Sequence, residues 1–139
     1  MVRGSSEIVI GNGECDGYVW SVLDMSVYHG LKRLEIGDYN FENVRGLRLI
    51  GLSELESVEI GSKSIRKSGG NDPYRHFYLK NCPKLKSLKI GDYSFRDYTV
   101  IEIENVDALE TIEMGDLSRD SSNFRYASLE LKSILIHNE

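Results

Sequence analysis

The chain has 139 residues and a mildly acidic composition, with 17 Lys and Arg against 22 Asp and Glu and a formal net charge of −5. This length fits a single domain, and the acidic balance disfavours nucleic-acid binding, which needs a basic stripe. No apolar run approaches the roughly 18 residues that span a bilayer, and residues 1–6 lack the apolar region of a signal peptide. We therefore expect one domain over residues 1–139, without membrane insertion, whose cellular compartment the sequence leaves open.

The main signal is an internal repeat of one apolar motif. In chain order its copies are EIVIGNGEC (7–15), LKRLEIGDYNF (31–41), LESVEIGSKSI (55–65), LKSLKIGDYSF (85–95) and LETIEMGDLSR (109–119). A glycine follows the apolar run at positions 11, 37, 61, 91 and 115, so successive spacings are 26, 24, 30 and 24 residues. Such a regular recurrence predicts a protein built from stacked repeats.

The apolar alternation within each copy predicts a β-strand with one buried face. Stacked copies would form a parallel sheet with two buried columns. These columns are Leu34, Val58, Leu88, Ile112 and Ile36, Ile60, Ile90, Met114. We expect the following glycine to take backbone angles closed to other residues.

Two further columns are predicted in the turn after each glycine. Small polar residues there would bond to backbone amides, and they are Asn40, Ser64, Ser94 and Ser118. Apolar residues would then return to the core, and they are Phe41, Ile65 and Phe95.

A second, weaker apolar motif follows each copy of the first. Its copies are VLDMSVYHG (22–30), GLRLIGLSE (46–54), FYLKNCPK (77–84), VIEIENVDA (100–108) and ASLELKSILI (127–136). No stretch sustains the spacing of an amphipathic helix for three turns, so we predict a β-rich fold with little helix. The repeats would cover approximately residues 7–30, 31–54, 55–84, 85–108 and 109–136.

The pattern L-x-x-L-x-I resembles the opening of leucine-rich repeats. Residues 36–41 and 90–95 are similar to the I-G-x-x-A-F signature of the BspA or Treponema type of surface repeat, although the proline and cysteine of that type do not recur. The resemblance implies a leucine-rich-repeat-like, right-handed solenoid of about five repeats of about 24 residues with a parallel sheet. It also implies a role in adhesion or protein binding.

Outward strand positions are the first candidates for partner contact. One predicted column is Glu35, Glu59, Lys89 and Glu113. The like charges of Glu35 and Glu59 on neighbouring strands are mildly destabilising, and a basic partner would relieve them. The alternative is that the column only keeps the surface solvated.

Tyr39, Lys63 and Tyr93 occupy equivalent positions just after three of the predicted strands. Tyrosine offers rigid contact area and is frequent in binding surfaces, which makes these residues candidate partner contacts. Cation–π stacking within the protein accounts for the same residues without any partner, and it is the interpretation that we favour.

The third repeat is longer than its neighbours, and the excess lies in the basic stretch of residues 66–75. Insertions in repeat arrays often lie on a binding face. The stretch therefore adds Arg66, Lys67, Tyr74 and Arg75 to the candidate partner contacts. A tolerated loop insertion is the alternative.

Residue types that catalyse reactions or hold metals form no recognised motif. His29, His76 and His137 lack metal-ligand spacing, and Cys15 and Cys82 fall in different columns, so we expect two free thiols. The column Asp38, Ser62, Asp92, Asp116 is compatible with Ca²⁺ or, because Ser62 interrupts it, with capping of backbone amides. We predict no enzyme activity, no metal and no cofactor.

The function that the sequence favours is a non-enzymatic module presenting a repeat surface to a protein partner. One alternative is a structural or self-assembling segment, because no polar cap is recognisable after the last repeat and uncapped ends associate. Another is a carbohydrate-active protein on a parallel β-helix. The sequence does not identify the partner.

Overall fold

The computed structural model describes residues 2–3, 6–15, 22–65, 75–95, 98–115 and 128–132. In these residues the chain forms strands and no helix, as the weak helical periodicity predicts, and therefore no helix able to span a membrane. The strands are β1 (Val2–Arg3), β2 (Glu7–Ile10), β3 (Val22–Asp24), β4 (Arg33–Ile36), β5 (Gly46–Ile50), β6 (Ser57–Ile60), β7 (His76–Lys80), β8 (Ser87–Ile90), β9 (Val100–Glu104), β10 (Thr111–Met114) and β11 (Ser128–Lys132).

From β2 onward, successive strands alternate between two sheets. The first sheet has the order β1-β2-β4-β6-β8-β10 and the second has the order β11-β9-β7-β5-β3. All neighbouring strands are parallel except β1, which is antiparallel to β2. Parallel neighbours need a crossover connection, and here a strand of the other sheet lies within each crossover. The parallel sheet expected from the first motif is confirmed, and the second motif forms a second one.

The core contains the inward side chains of both sheets. Leu34 pairs in register with Val58, which pairs with Leu88, and all three are at most 1% exposed. The expected buried columns are thereby confirmed over β4, β6 and β8. At β10 the burial weakens, because Ile112 and Met114 are only half-buried. Each buried Leu or Val contributes roughly 1.5 to 3 kcal/mol through removal from water.

The apolar residues after the first-sheet turns return to the core, as predicted. Phe41, Ile65 and Phe95 are 2%, 0% and 0% exposed. The Phe95 ring stacks on Phe77 of the second sheet with centroids 4.7 Å apart and meets Tyr98 edge-on at 5.1 Å. These aromatic contacts join the turn of one sheet to a strand of the other.

Asn40, Ser64 and Ser94 form a buried polar stack, and each is 0% exposed. The Ser64 hydroxyl accepts the Asn40 amide N–H at 3.1 Å and donates to the Gly37 carbonyl at 2.7 Å. The Ser94 hydroxyl repeats this pattern, since it accepts from the Ser64 amide and donates to the Gly61 carbonyl. The stack satisfies backbone groups that would otherwise be buried without partners, which confirms its predicted role; Ser118 lies outside the described residues.

Glycine is required after the first-sheet strands because atoms of the preceding copy lie very close to its Cα. Our expectation that these glycines take backbone angles closed to other residues was wrong. Gly37, Gly61, Gly91 and Gly115 do not have positive φ angles. A Cβ on Gly37 would lie 2.5 Å from Asn12 Oδ1, and one on Gly61 would lie 2.7 Å from the Asp38 nitrogen. Only glycine fits where the preceding copy comes this near.

The acidic column caps backbone amides at the same place. Asn12 Oδ1 accepts the Asp38 amide N–H at 2.7 Å, and Asp38 Oδ1 accepts the Ser62 amide N–H at 2.7 Å. This geometry confirms the amide-capping alternative for Asp38. Asp116 lies outside the described residues.

Candidate binding surface

Tyr39, Lys63 and Tyr93 lie at left-handed backbone positions after β4, β6 and β8, with φ angles of 59°, 55° and 63°. A left-handed angle costs a non-glycine residue roughly 1–2 kcal/mol. The strands of the second sheet also end at left-handed positions, but there the residues are Gly51, Asn81 and Asn105. Those are the residue types that tolerate the conformation. After the first-sheet strands, Tyr and Lys take a conformation that glycine would take with less strain.

Burial explains some of these left-handed residues and not others. Phe41, Ile65 and Phe95 also have φ angles near +50°, and their complete burial offsets the strain. Tyr39 is 52% exposed, so burial does not offset its strain in the same way.

The three side chains form one continuous ridge. The Lys63 ammonium nitrogen lies 5.5 Å from the centroid of the Tyr39 ring and 5.9 Å from that of Tyr93. This spacing is that of a cation–π contact, worth roughly 0.5–1 kcal/mol at exposed sites. The cation–π stacking predicted for Tyr39, Lys63 and Tyr93 is confirmed, their contact with a partner stays a prediction, and we call the group the tyrosine–lysine ridge.

The outer face of the first sheet places the predicted charged column in register. Glu35 pairs with Glu59, Glu59 with Lys89, and Lys89 with Glu113. Arg33 forms ion pairs with both Glu35 and Glu7. Glu59 and Glu113 are exposed at the two sides of Lys89, so the column keeps a local excess of negative charge.

A shallow depression of about 270 Å³ lies on this outer face. Ser57, Ser87 and Thr111 line one side of it, and Glu59, Lys89 and Glu113 line the other. The small hydroxyl residues leave room between the strands, while the charged column forms a rim. The depression is therefore polar and of a size to admit one side chain of a partner.

The structure describes one of the four candidate contacts predicted in the basic insertion. Arg66, Lys67 and Tyr74 lie outside the described residues. Arg75 is 2% exposed, and its carbonyl accepts the amide N–H groups of Thr99 and Val100. Our prediction of Arg75 as a surface contact was wrong, because its side chain is buried.

A cluster on the outer face of the second sheet was missed by sequence reasoning. Arg48 Nε donates to His76 Nε2 at 3.0 Å, and the Arg48 guanidinium carbon lies 5.9 Å from the Tyr78 ring centroid. The His76 ring occupies the space above Gly46, where a Cβ would lie 2.6 Å from Nε2. The sequence carried no recurring signal for this cluster, since the register pairs unlike residues, Gly46 with His76 and Arg48 with Tyr78.

Lys80 completes the outer face of the second sheet. Its ammonium group lies 4.4 Å from the Tyr78 ring centroid and forms ion pairs with Glu102 and Glu104. The hydrogen bond with Glu102 raises the pKa of Lys80 above its usual value. The lysine charge is therefore compensated within the sheet.

Side chains of metal-ligating types and the two cysteines also lie in the described part of the chain. No group of three or more His, Cys, Asp or Glu residues able to hold a metal ion occurs there. Cys15 and Cys82 are free thiols, as expected. No family model, curated protein or solved structure matches the chain.

Proposed function

We propose that the chain is a leucine-rich-repeat-like solenoid of about five repeats that binds a protein partner and catalyses no reaction. The repeat interpretation is supported by the regular alternation of strands between two parallel sheets. It is also supported by the buried polar stack, whose hydrogen bonds join residues 24 and 30 positions apart. The net charge of −5 favours a protein over a nucleic acid as the partner.

The tyrosine–lysine ridge is the observation that carries the proposal. Three successive copies place Tyr, Lys and Tyr at left-handed positions, although glycine would remove the strain. Tyr39 is also more than half exposed. Strained residues that packing does not compensate are concentrated at functional sites, and exposed tyrosines are frequent anchors of protein interfaces.

The neighbouring outer face suggests the chemistry of the contact. Glu35 and Glu59 lie opposite one another on adjacent strands, and a lysine or arginine of the partner would relieve their repulsion. The depression beside Glu59 has room for such a side chain. In this proposal the ridge supplies contact area and the charged column selects for a basic group.

A glycine substitution tests whether the ridge is structural. We expect the Tyr39→Gly/Tyr93→Gly variant to unfold in urea within about 1 kcal/mol of wild type, because relief of the left-handed strain offsets the lost stacking and the added backbone entropy. Phe95→Gly is the matched control, since Phe95 has a similar φ angle of 56° but is 0% exposed. It should lose about 3–5 kcal/mol. Equal losses in the two variants would contradict the proposal, because the tyrosines would then be structural.

A binding experiment tests the partner role directly. Peptides selected from a randomised display library against the wild-type protein should bind the double glycine variant at least about tenfold more weakly. They should retain affinity for Val27→Gly, which removes a 67% exposed apolar residue elsewhere. Selected peptides that bind both variants equally well would exclude the ridge as the contact site.

A further inference from the structure

Arg48 differs from the cations that the protein pairs with carboxylates. Arg33 is paired with Glu7 and Glu35, and Lys84 with Glu54 at 2.9 Å. In the described part of the chain, Arg48 instead contacts His76 and the ring of Tyr78. Because His76 accepts through Nε2, that nitrogen carries no proton. The positive charge of Arg48 is thus held in place by neutral groups.

The nearest carboxylate in the sheet is directed elsewhere. Asp24 pairs in register with Arg48 on the adjacent strand. Its Oδ1 accepts the Ser26 amide N–H at 2.9 Å, and it forms no ion pair with Arg48 among the described residues. Among the described residues, the guanidinium group therefore has a carboxylate on the neighbouring strand but no direct ion pair with it.

The contacts of Arg48 also fix its orientation. His76 is 8% exposed and its ring fits above Gly46, so the acceptor of the Arg48 Nε–H is itself rigidly held. Stacking on Tyr78 constrains the guanidinium plane. With Nε occupied, the two terminal nitrogens form the edge that grips a carboxylate with two parallel hydrogen bonds.

We infer that Arg48, positioned by His76 and Tyr78, binds a carboxylate of a protein partner, that is, an Asp or Glu side chain. This contact lies on the second sheet and does not depend on the tyrosine–lysine ridge. Arginine and tyrosine are the residue types most often found at energetic centres of interfaces. The charge of the ligand is complementary to the Arg48 guanidinium, which forms no ion pair with the side chains that the structure describes on this face.

Peptide titration followed by nuclear magnetic resonance tests the inference. The probe is a capped tetrapeptide containing two glutamates, compared with the same peptide containing two glutamines. We expect the glutamate peptide to shift the Arg48 Nε–H and Tyr78 ring signals saturably, and the glutamine peptide to leave them unchanged. Arg48→Gln should weaken binding at least about tenfold, while Arg33→Gln, the matched control, should leave it unchanged. Equal shifts with both peptides, or equal binding by both variants, would overturn the inference.

His76 is a positioning residue in this site, and its role has a separate test. His76→Ala should weaken binding of the glutamate peptide several-fold, because Arg48 loses its fixed orientation. His76→Gln should restore it, since the amide oxygen accepts the same N–H. Unchanged binding by His76→Ala would overturn the positioning role. Inorganic phosphate distinguishes the ligand class, because a phosphate that saturates Arg48 at lower concentration than the glutamate peptide would overturn the carboxylate assignment.

Discussion

At the scale of single residues, Tyr98 shows how a polar atom is accommodated in the core. Its side chain is 0% exposed and packs edge-on against Phe95. The hydroxyl donates to the backbone carbonyl of Val44, 54 residues earlier in the chain. Burial raises the pKa of Tyr98 well above its usual value, because the phenolate would lose its hydration.

This burial predicts a specific loss of stability in alkali. An unfolded tyrosine ionises near pH 10 and Tyr98 in the folded protein ionises only at higher pH, so its contribution is complete below about pH 10 and falls as the pH rises further. The loss reaches about 1.4 kcal/mol at one unit above that value. Tyr98→Phe should be about 1–2 kcal/mol less stable at pH 8, since the Val44 carbonyl loses its donor. It should not show the additional alkaline loss.

Urea unfolding of both proteins at pH 8 and pH 11 measures the effect. The stability difference between wild type and Tyr98→Phe should shrink at the higher pH, whereas other titrating groups affect both proteins equally. A difference that stays constant between the two pH values would contradict the burial of an un-ionised phenol.

Single-residue roles were predicted from the sequence only where a residue recurs at the same position in several copies. The polar stack and the returning Phe41 were predicted in this way, since each column has the same chemistry in successive copies. Tyr98 and Arg75 lie outside the two predicted motifs, so their burial required the structure. The Arg48–His76 bond was missed because it joins two outward positions whose residue types are not shared by the neighbouring copies, where Gly46 and Tyr78 stand.

At the scale of the elements, the chain turns after the strands of the two sheets in different ways. Second-sheet strands end with Gly51, Asn81 or Asn105 at a positive φ angle, which is the usual means of reversing a chain. First-sheet strands are followed by a glycine with ordinary angles, against which the preceding copy packs closely. The sequence pattern showed where these glycines are. The reason they are needed is the short distance to the preceding copy, and a sequence does not contain that distance.

Two substitutions, Gly61→Ala and Gly51→Asn, separate the two kinds of glycine. Gly61→Ala should lose roughly 1–3 kcal/mol, because the new Cβ would lie 2.7 Å from the backbone of Gly37 and Asp38. Gly51→Asn should stay within about 1 kcal/mol of wild type, since its φ angle of 72° matches that of Asn81 and the space around it is open. Thermal or urea unfolding of the two variants gives the comparison. A fully stable Gly61→Ala protein would show that the neighbouring copies are not in close contact.

At the scale of the whole molecule, both sheets contribute to one core, and the two thiols lie at different depths in it. Cys82 is 0% exposed in the turn after β7 and approaches the carbonyls of Lys80 and Leu49. Cys15 is half-buried in the turn after β2. Burial raises the pKa of both thiols, so both are poor nucleophiles at neutral pH.

Thiol labelling therefore reports the opening of the core. With a disulfide reagent at pH 8, Cys15 should react first, and more slowly than a cysteine in an unfolded peptide. Cys82 should react at least a thousandfold more slowly than in urea, because exposure requires loss of the packed sheets, at a cost on the order of 5 kcal/mol. The Cys15→Ser variant assigns the slow phase. Rapid labelling of Cys82 in the native protein would contradict a single core shared by the sheets.

The polar stack joins successive copies through two different residue types that make equivalent bonds. The side-chain oxygen of Asn40 accepts the Cys15 amide N–H, and its nitrogen donates to the carbonyls of Gly11 and Gly37. Ser64 makes the equivalent two bonds one copy later, because its hydroxyl accepts the Asn40 amide N–H and donates to the Gly37 carbonyl. Asparagine adds only a further donor to carbonyls of its own turn, at Gly37 and Asp38. Either residue type can therefore join one copy to the next, and an exchange of neighbouring strands during folding would cost this column few hydrogen bonds.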